Sequence, residues 1–189
     1  MNHYPSFIDP KHPNADSHWT IFALMRCFLT KIIDDDKILW LDVDTIVKAP
    51  LNELWNMDMT NLAIAGWCEP KKNWTHVCAQ KSKSNYVNSG ILLMNLKFIK
   101  DHGLDDKYIK YLSGSRLKNP DQDALNVVCD GYIGYLTAEY NFGPIITIAE
   151  RHKYYQSYKI YHMTWYKLWN PKVPGPHHLY NEYYREILY

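Results

Sequence analysis

Apolar residues recur at helical spacing in the N-terminal part of the chain. They follow a Pro-, His- and Asn-rich stretch, residues 1–15, which we expect to be irregular, and a candidate N-cap at Asp16 or Ser17. The sequence therefore predicts a helix from this point to Ile33, with Arg26 in its middle. By position alone, Arg26 is either a solvated helix charge or part of a site. The periodic apolar positions are Ile21, Leu24, Met25, Phe28, Leu29 and Ile32.

The next apolar run, Lys37–Leu41, predicts a buried central strand, and two carboxylates, Asp42 and Asp44, follow it directly. Side chains alternate along a strand, so both acids are expected on the same side of its C-terminal end, where α/β sheets bind ligands. Two adjacent like charges are unfavourable without a compensating cation. The pattern indicates a divalent metal holding a phosphate-bearing substrate, or alternatively a solvated turn whose acids cap the next segment.

The rest of the pattern alternates between short helices and strands, which predicts a single α/β domain. Residues 68–84 are polar and Lys-rich, and we expect a mobile surface loop there. Residues 85–96 predict a strand interrupted by a small polar turn at Asn88-Ser89-Gly90. Asn119-Pro120 opens a helix whose first turn carries Asp121, Gln122 and Asp123. The other predicted elements are helices at 49–55, 96–102 and 105–112 and strands at 62–67 and 132–136.

Composition narrows the class of protein. Apolar residues make up 47% and charged residues 22% of the 189 residues, which argues against disorder, and the net charge of +1 predicts no nucleic-acid partner. Residues 151–189 carry six Lys/Arg against two Glu, a net charge of +4, with Tyr and Trp interleaved. The C-terminal tail, residues 172–189, therefore either contacts a membrane surface peripherally or packs its Tyr side chains on the domain.

The cysteines and the N-terminus point to a reducing compartment. The sequence has no Cys-x-x-Cys pair among its four cysteines, Cys27, Cys68, Cys78 and Cys129. This spacing excludes zinc-ribbon and thioredoxin-like sites and favours free thiols. The first residues show no signal peptide, and no apolar run approaches the roughly 18 residues of a membrane span. We expect a cytoplasmic location, with the tail at the inner membrane face if it binds lipid.

Four motifs in order along the chain resemble glycosyltransferase family 8, retaining enzymes with a nucleotide-sugar-binding fold. An apolar strand followed by Asp-x-Asp-Thr is present at residues 39–45, Asn-Ser-Gly followed by an apolar strand at 88–93, and Asp-Gln-Asp-x-Leu-Asn at 121–126. The C-terminal motif is met in part, by His162, Lys167 and Trp169. The resemblance implies a GT-A-like mixed sheet flanked by helices.

The resemblance also implies a metal site and a diphosphate site. Asp42, Asp44 and His162 would bind Mn²⁺, or Mg²⁺, because this ion accepts mixed oxygen and nitrogen ligands. Lys167 would neutralise the donor diphosphate. The donor would be UDP-glucose or UDP-galactose, and the acceptor an oligosaccharide of a lipopolysaccharide core or another surface glycan, with glycogenin-like self-glucosylation as a weaker possibility.

The remaining motif residues would contact the transferred sugar. Asp121 would hydrogen-bond its hydroxyl groups and Gln122 would lie on the face where the retaining reaction occurs. Because an amide is a poor nucleophile, Gln122 is expected to stabilise an oxocarbenium-like state. Asn88-Ser89-Gly90 would hold the sugar, and Arg26 would lie on the donor side.

The family places several βα units before the helix that starts near Asp16, where this sequence has about 15 residues. We therefore expect an N-terminally truncated, partial catalytic domain that binds UDP-sugar weakly, has little activity and associates through an exposed edge at Lys37–Leu41. Two alternatives stay open. One is a carbohydrate-binding remnant without activity, and the other is a haloacid-dehalogenase-type phosphatase, although Thr45 comes one place early for that motif.

Overall fold

The computed structural model describes residues 14, 21–74, 83–114 and 116–164. Lys167, Cys78 and the tail at 172–189 lie outside the described residues, so the predictions for them stay predictions. The chain forms two compact units. The first comprises residues 1–40 and 58–135, and the second comprises residues 41–57 and 136–189.

A four-stranded sheet forms the centre of the first unit. Its strands are β1 (Lys37–Leu41), β3 (Ile64–Cys68), β4 (Val87–Asn95) and β5 (Ile133–Leu136), and they lie in the order β1-β4-β3-β5. The last residues of β1 and β5 belong to the second unit. β3 and β4 pair antiparallel, with a register shift between Gly66 and Cys68. Within the described residues β1 is an edge strand, and its side chains are half-buried rather than fully buried as the sequence predicts.

The predicted turn inside the β4 segment is wrong. Val87–Asn95 is one continuous strand in which Asn88, Ser89 and Gly90 are all buried. A polar triplet can occupy the middle of a buried strand here because its donors and acceptors are satisfied by neighbouring side chains, as the site below shows.

Helices pack on this sheet and bury the core of the first unit. The N-terminal helix α1, Ile21–Met25, continues as a 3₁₀ helix over Arg26–Lys31. Helix α3 is Leu96–Asp101, α4 is Leu104–Leu112 and α5 is Pro120–Val128, each within two residues of its prediction. The core contains Leu24, Phe28, Ile64, Leu92, Met94, Leu96, Ile99, Leu104, Tyr108 and Leu125, among others.

The second unit contains a two-stranded antiparallel sheet formed by β2, Thr45–Val47, and β6, Ile160–His162. Helix α2, Asn52–Trp55, follows β2, and helix α6, Ile148–Tyr154, starts at a capping box between Thr147 and Glu150. The sequence pattern does not predict β2, β6 or α6, because three-residue strands and a short helix give too little periodicity. Among the described residues no helix is long and apolar enough to cross a membrane.

Candidate functional site

Asp42, Asp44 and His162 come together in the second unit. Each offers one ligand atom, and these atoms all lie within 4.8 Å of one another. The sequence predicts that the two acids come together because they share one face of a strand. They do come together, but not on a strand, because β1 ends at Leu41. The acids instead lie in a turn closed by Thr45, whose backbone N–H and hydroxyl both donate to the Asp42 carbonyl, at 3.1 and 2.7 Å.

The register of the small sheet brings the imidazole to the acids. Thr45 pairs with His162, and the Met163 N–H donates to the Asp44 carbonyl at 2.9 Å. The Nε2 atom of His162 therefore lies 3.5 Å from a carboxylate oxygen of Asp44, and both side chains are buried. Two carboxylates and one imidazole, of which Asp44 and His162 are buried and Asp42 is half-buried, form a donor set that suits a divalent cation.

Asn141 orients the imidazole. Its side-chain oxygen lies 2.8 Å from His162 Nδ1, and Asn141 is completely buried. An amide oxygen can only accept, so Nδ1 donates this hydrogen bond and the Nε2 atom faces Asp44. A metal-ligating histidine usually donates its other ring N–H to such an acceptor, so the contact with Asn141 fits a metal ion bound at Nε2.

Removing this orienting contact should weaken metal binding. We expect Asn141→Leu to lower Mn²⁺ affinity ~10- to 100-fold, the usual effect of losing a hydrogen-bond partner of a ligating histidine. Asn141→Asp keeps an oxygen acceptor and should bind Mn²⁺ at least as well as the wild type. Calorimetric titration with Mn²⁺ measures both variants. Unchanged affinity in Asn141→Leu would show that the imidazole is oriented by something else.

Gly143 allows the chain to pass close to His162. The Phe142 N–H donates to Ile160 O at 3.0 Å, and the His162 N–H donates to Phe142 O at 2.8 Å. A Cβ atom on Gly143 would overlap the carbonyl oxygen of His162 and lie 3.2 Å from its carbonyl carbon. Glycine is therefore required at this position, which the sequence shows only as part of a Gly-Pro loop.

A separate polar cluster lies in the first unit around Arg26 and Asp121. Arg26 is only 5% exposed, so its interpretation as a solvated helix charge is wrong. Its Nε atom lies 3.2 Å from Asp121, its Nη1 donates to the Ser89 carbonyl, and its guanidinium lies 4.9 Å from the centre of the Trp40 ring. The Ser89 hydroxyl also donates to Asp121, at 3.0 Å.

Gln122 and Asn88 extend this cluster. The Gln122 side-chain oxygen accepts from the Ser89 N–H at 2.9 Å, and the Asn88 side-chain oxygen accepts from the Gly90 N–H at 3.0 Å. Both amide nitrogens donate to one carboxylate oxygen of Glu69, at 2.8 Å from Asn88 and 3.1 Å from Gln122. The structure thus gathers all the predicted sugar-contacting residues of the first unit into one buried network.

Two further side chains of helix α5 anchor it to strand β4 and to Tyr86 just before that strand. Asn126 forms a two-way pair with the Val87 backbone, accepting from its N–H at 2.7 Å and donating to its carbonyl at 2.8 Å. Asp123 is fully buried and accepts from the Tyr86 hydroxyl at 2.7 Å and the Asn119 N–H at 3.1 Å. These contacts fix the helix so that Asp121 and Gln122 face strand β4.

Sequence reasoning missed three residues of these clusters, Glu69, Asn141 and Trp40. Glu69 directly follows strand β3 and Asn141 precedes the Gly143 turn, and both are polar residues beside apolar elements. A polar residue next to an apolar element is the one sequence signal that could have indicated Glu69 and Asn141. Trp40 is the second-last residue of β1 and lies inside an apolar run, so no sequence signal distinguishes it from a core residue.

Two comparisons of structure show the fold. The galactosyltransferase LgtC, solved with donor and acceptor sugar analogs, superposes with a TM-score of 0.71 at 22% identity, covering 88% of this chain and 68% of LgtC. The bifunctional glycosyltransferase WbbM superposes with a TM-score of 0.71 at 20% identity, covering 84% of this chain and 34% of WbbM. The fold is therefore the GT-A-like mixed α/β fold of glycosyltransferases.

The family follows from the sequence comparison. The model of glycosyl transferase family 8 matches residues 2–170, and the chain belongs to this family. This membership removes the phosphatase alternative. A lipopolysaccharide 1,2-glucosyltransferase of Escherichia coli K12 is 29% identical over 148 residues, covering 75% of this chain and 43% of the relative. The chain spans less than half the length of such curated relatives.

Proposed function

We propose that this chain carries the reacting part of a metal-dependent, retaining hexosyltransferase that moves glucose or galactose from a UDP-sugar to a glycan. The observation that carries the proposal is the cluster of Asp42, Asp44 and His162, in which Asp44 and His162 are buried and Asn141 orients the imidazole. Family membership supports the reaction class. The two carboxylates and the imidazole support a divalent cation as the cofactor.

Asp42, Asp44 and His162 would hold Mn²⁺ or Mg²⁺. When bound, the ion would act as a Lewis acid on the diphosphate that leaves with the nucleoside. The chain's own contribution is to present two carboxylates and an imidazole already close together, so that little reorganisation is needed on binding. Lys167, which lies outside the described residues, is proposed to bind the diphosphate as well.

The first-unit cluster would bind the transferred hexose. Asp121 accepts hydrogen bonds and would take sugar hydroxyls, while Arg26 pairs with its carboxylate at 3.2 Å. The Gln122 oxygen already accepts from the Ser89 N–H, so it is fixed in position and poorly suited to nucleophilic attack. We propose that Gln122 stabilises positive charge on the sugar by its dipole, and that Asn88-Ser89-Gly90 forms the adjacent wall.

The acceptor is proposed to be an oligosaccharide of lipopolysaccharide or another surface glycan. Support comes from the E. coli relative, whose name is that of a lipopolysaccharide glucosyltransferase. A carbohydrate-binding chain without turnover is the second candidate, because the carboxylate and amide groups of the first-unit cluster can bind sugar hydroxyls without catalysing transfer.

The test is UDP release from UDP-glucose and UDP-galactose with and without Mn²⁺, with a panel of glycan acceptors. We expect slow, Mn²⁺-dependent release that falls at least ~100-fold in Asp44→Asn, because loss of a metal-ligating carboxylate removes the transition-state charge stabilisation. Asp101→Asn, which alters an exposed ion pair with Lys97, is the matched control and should keep full activity.

The outcomes separate the candidates. Sugar binding without UDP release would support the non-catalytic alternative. Equal release by the wild type and Asp44→Asn, or release that does not depend on metal, would overturn the proposed function.

A further inference from the structure

We propose that Glu69 is a positioning residue that fixes the orientation of both side-chain amides of the first-unit cluster, Asn88 and Gln122. That Gln122 faces the reacting sugar rests on the proposed function; the orienting role of Glu69 rests on the contacts alone. Glu69 is 8% exposed, and among the described residues it has no salt-bridge partner.

A side-chain amide has two orientations that differ by exchange of oxygen and nitrogen. Gln122 lies between the Glu69 carboxylate, which accepts at 3.1 Å, and the Ser89 N–H, which donates at 2.9 Å. An ionised carboxylate can only accept, and a backbone N–H can only donate. A single orientation satisfies both groups, with the nitrogen toward Glu69 and the oxygen toward the strand.

Asn88 is held in the same way. Its nitrogen donates to the same Glu69 oxygen at 2.8 Å, and its oxygen accepts from the Gly90 N–H at 3.0 Å. One carboxylate oxygen therefore orients two amides against two consecutive donors of strand β4. Reversing either amide would place its oxygen against the carboxylate and its NH₂ group against a backbone N–H, leaving buried groups unsatisfied.

The backbone holds Glu69 in place for this role. Its N–H donates to Tyr86 O at 2.9 Å, and its carbonyl accepts from the indole N–H of Trp74 at 2.8 Å. Burying a carboxylate without a paired cation is unfavourable, so a neutral apolar residue at this position would make the unit more stable. The orientation of the two amides is the function that the carboxylate supplies.

The test compares Glu69→Gln with Glu69→Leu. Glu69→Gln keeps an acceptor oxygen without the charge, whereas Glu69→Leu removes the acceptor and keeps the volume. The first readout needs no substrate. It is the hydrogen-exchange protection of the side-chain NH₂ groups of Asn88 and Gln122 by NMR, assigned with Asn88→Asp and Gln122→Glu. The second is kcat and KM for Mn²⁺-dependent UDP release.

We expect Glu69→Gln to keep the protection and a kcat within a few fold of wild type. In Glu69→Leu both NH₂ groups should lose protection, and kcat should fall about 100-fold with a smaller change in KM, as expected for a misplaced group near the reacting atoms. If Glu69→Leu does not fold, Glu69→Ala, in which water can hydrate the amides, makes the same comparison.

Two results would overturn the proposal. Retained protection and kcat in Glu69→Leu would show that the amides are oriented without Glu69. Equal losses in Glu69→Gln and Glu69→Leu would show that charge, and not the acceptor, is what matters. If the wild type releases no UDP, the proposed function fails, while the NMR comparison still decides whether Glu69 orients the amides.

Discussion

Gly143→Ala should abolish Mn²⁺ binding by the Asp42–Asp44–His162 cluster and destabilise the second unit. The new Cβ atom would overlap the carbonyl oxygen of His162, a backbone atom that cannot rotate away. Either the Phe142–Gly143 segment or strand β6 must move, which breaks the bonds between Phe142, Ile160 and His162. Forcing a Cβ into packed backbone costs about 3 kcal/mol.

Mn²⁺ affinity should fall more strongly than the free energy of unfolding. A displacement of His162 by even half an ångström takes its Nε2 atom out of line with the carboxylates, and metal sites tolerate little misplacement. We expect no measurable Mn²⁺ binding by calorimetry and a clearly lower unfolding midpoint in urea.

The chain offers two matched controls for this variant. A Cβ on Gly114 meets its nearest atom at 3.5 Å, so Gly114→Ala should be neutral. Gly103 has a φ of 58° and open space around it, so Gly103→Ala should cost about 1 kcal/mol through backbone strain alone and leave Mn²⁺ binding intact. Normal Mn²⁺ affinity in Gly143→Ala would show that the loop relaxes without moving His162.

Breaking the buried ion pair between Arg26 and Asp121 should have the second large effect. The charged groups lie 3.2 Å apart, with side chains 6% and 7% exposed. Arg26→Met leaves the Asp121 carboxylate buried without its cation, and Asp121→Leu leaves the guanidinium without its anion. Each single change should lower the free energy of unfolding by about 3–5 kcal/mol, the usual cost of an uncompensated buried charge.

The double variant Arg26→Met/Asp121→Leu separates structure from function. It contains no unpaired charge, so its loss should be about 2–3 kcal/mol smaller than the sum of the two single losses, which is the coupling free energy of the double-mutant cycle. UDP release should stay undetectable in all three variants, because the sugar-binding carboxylate or its cation is absent in each.

Urea unfolding followed by fluorescence measures the cycle. The control is the exposed pair Lys97 and Asp101, which is 2.8 Å apart, with side chains 60% and 53% exposed, and whose removal should cost about 0.5 kcal/mol. Additive losses in the Arg26/Asp121 cycle would show that the pair does not stabilise the unit, and wild-type UDP release in any of the variants would remove Asp121 from the proposed site.

The sequence predicted three of the helices well, but neither the three-residue strands nor the continuity of strand β4. The helices at 96–101, 104–112 and 120–128 have clear periodicity or a Pro start, and the structure confirms them. Strand β4 was predicted as interrupted because Asn88-Ser89-Gly90 resembles a turn when read locally. Its polar groups are satisfied by Glu69, Gln122 and Asp121, and no local pattern contains those partners.

The order of residues was enough to predict the family, the two acids, His162 and the Asp-Gln-Asp helix start, because these residues form short motifs with fixed local spacing. The residues that support them became visible with the folded structure. Asn141 orients a histidine 21 residues away, and Glu69 orients an amide 53 residues away. Hydrogen bonds and close backbone contacts, such as that of Gly143 with His162, depend on positions in space to within a few tenths of an ångström. Those positions are set by strand register and helix packing, which the order of residues along the chain does not display.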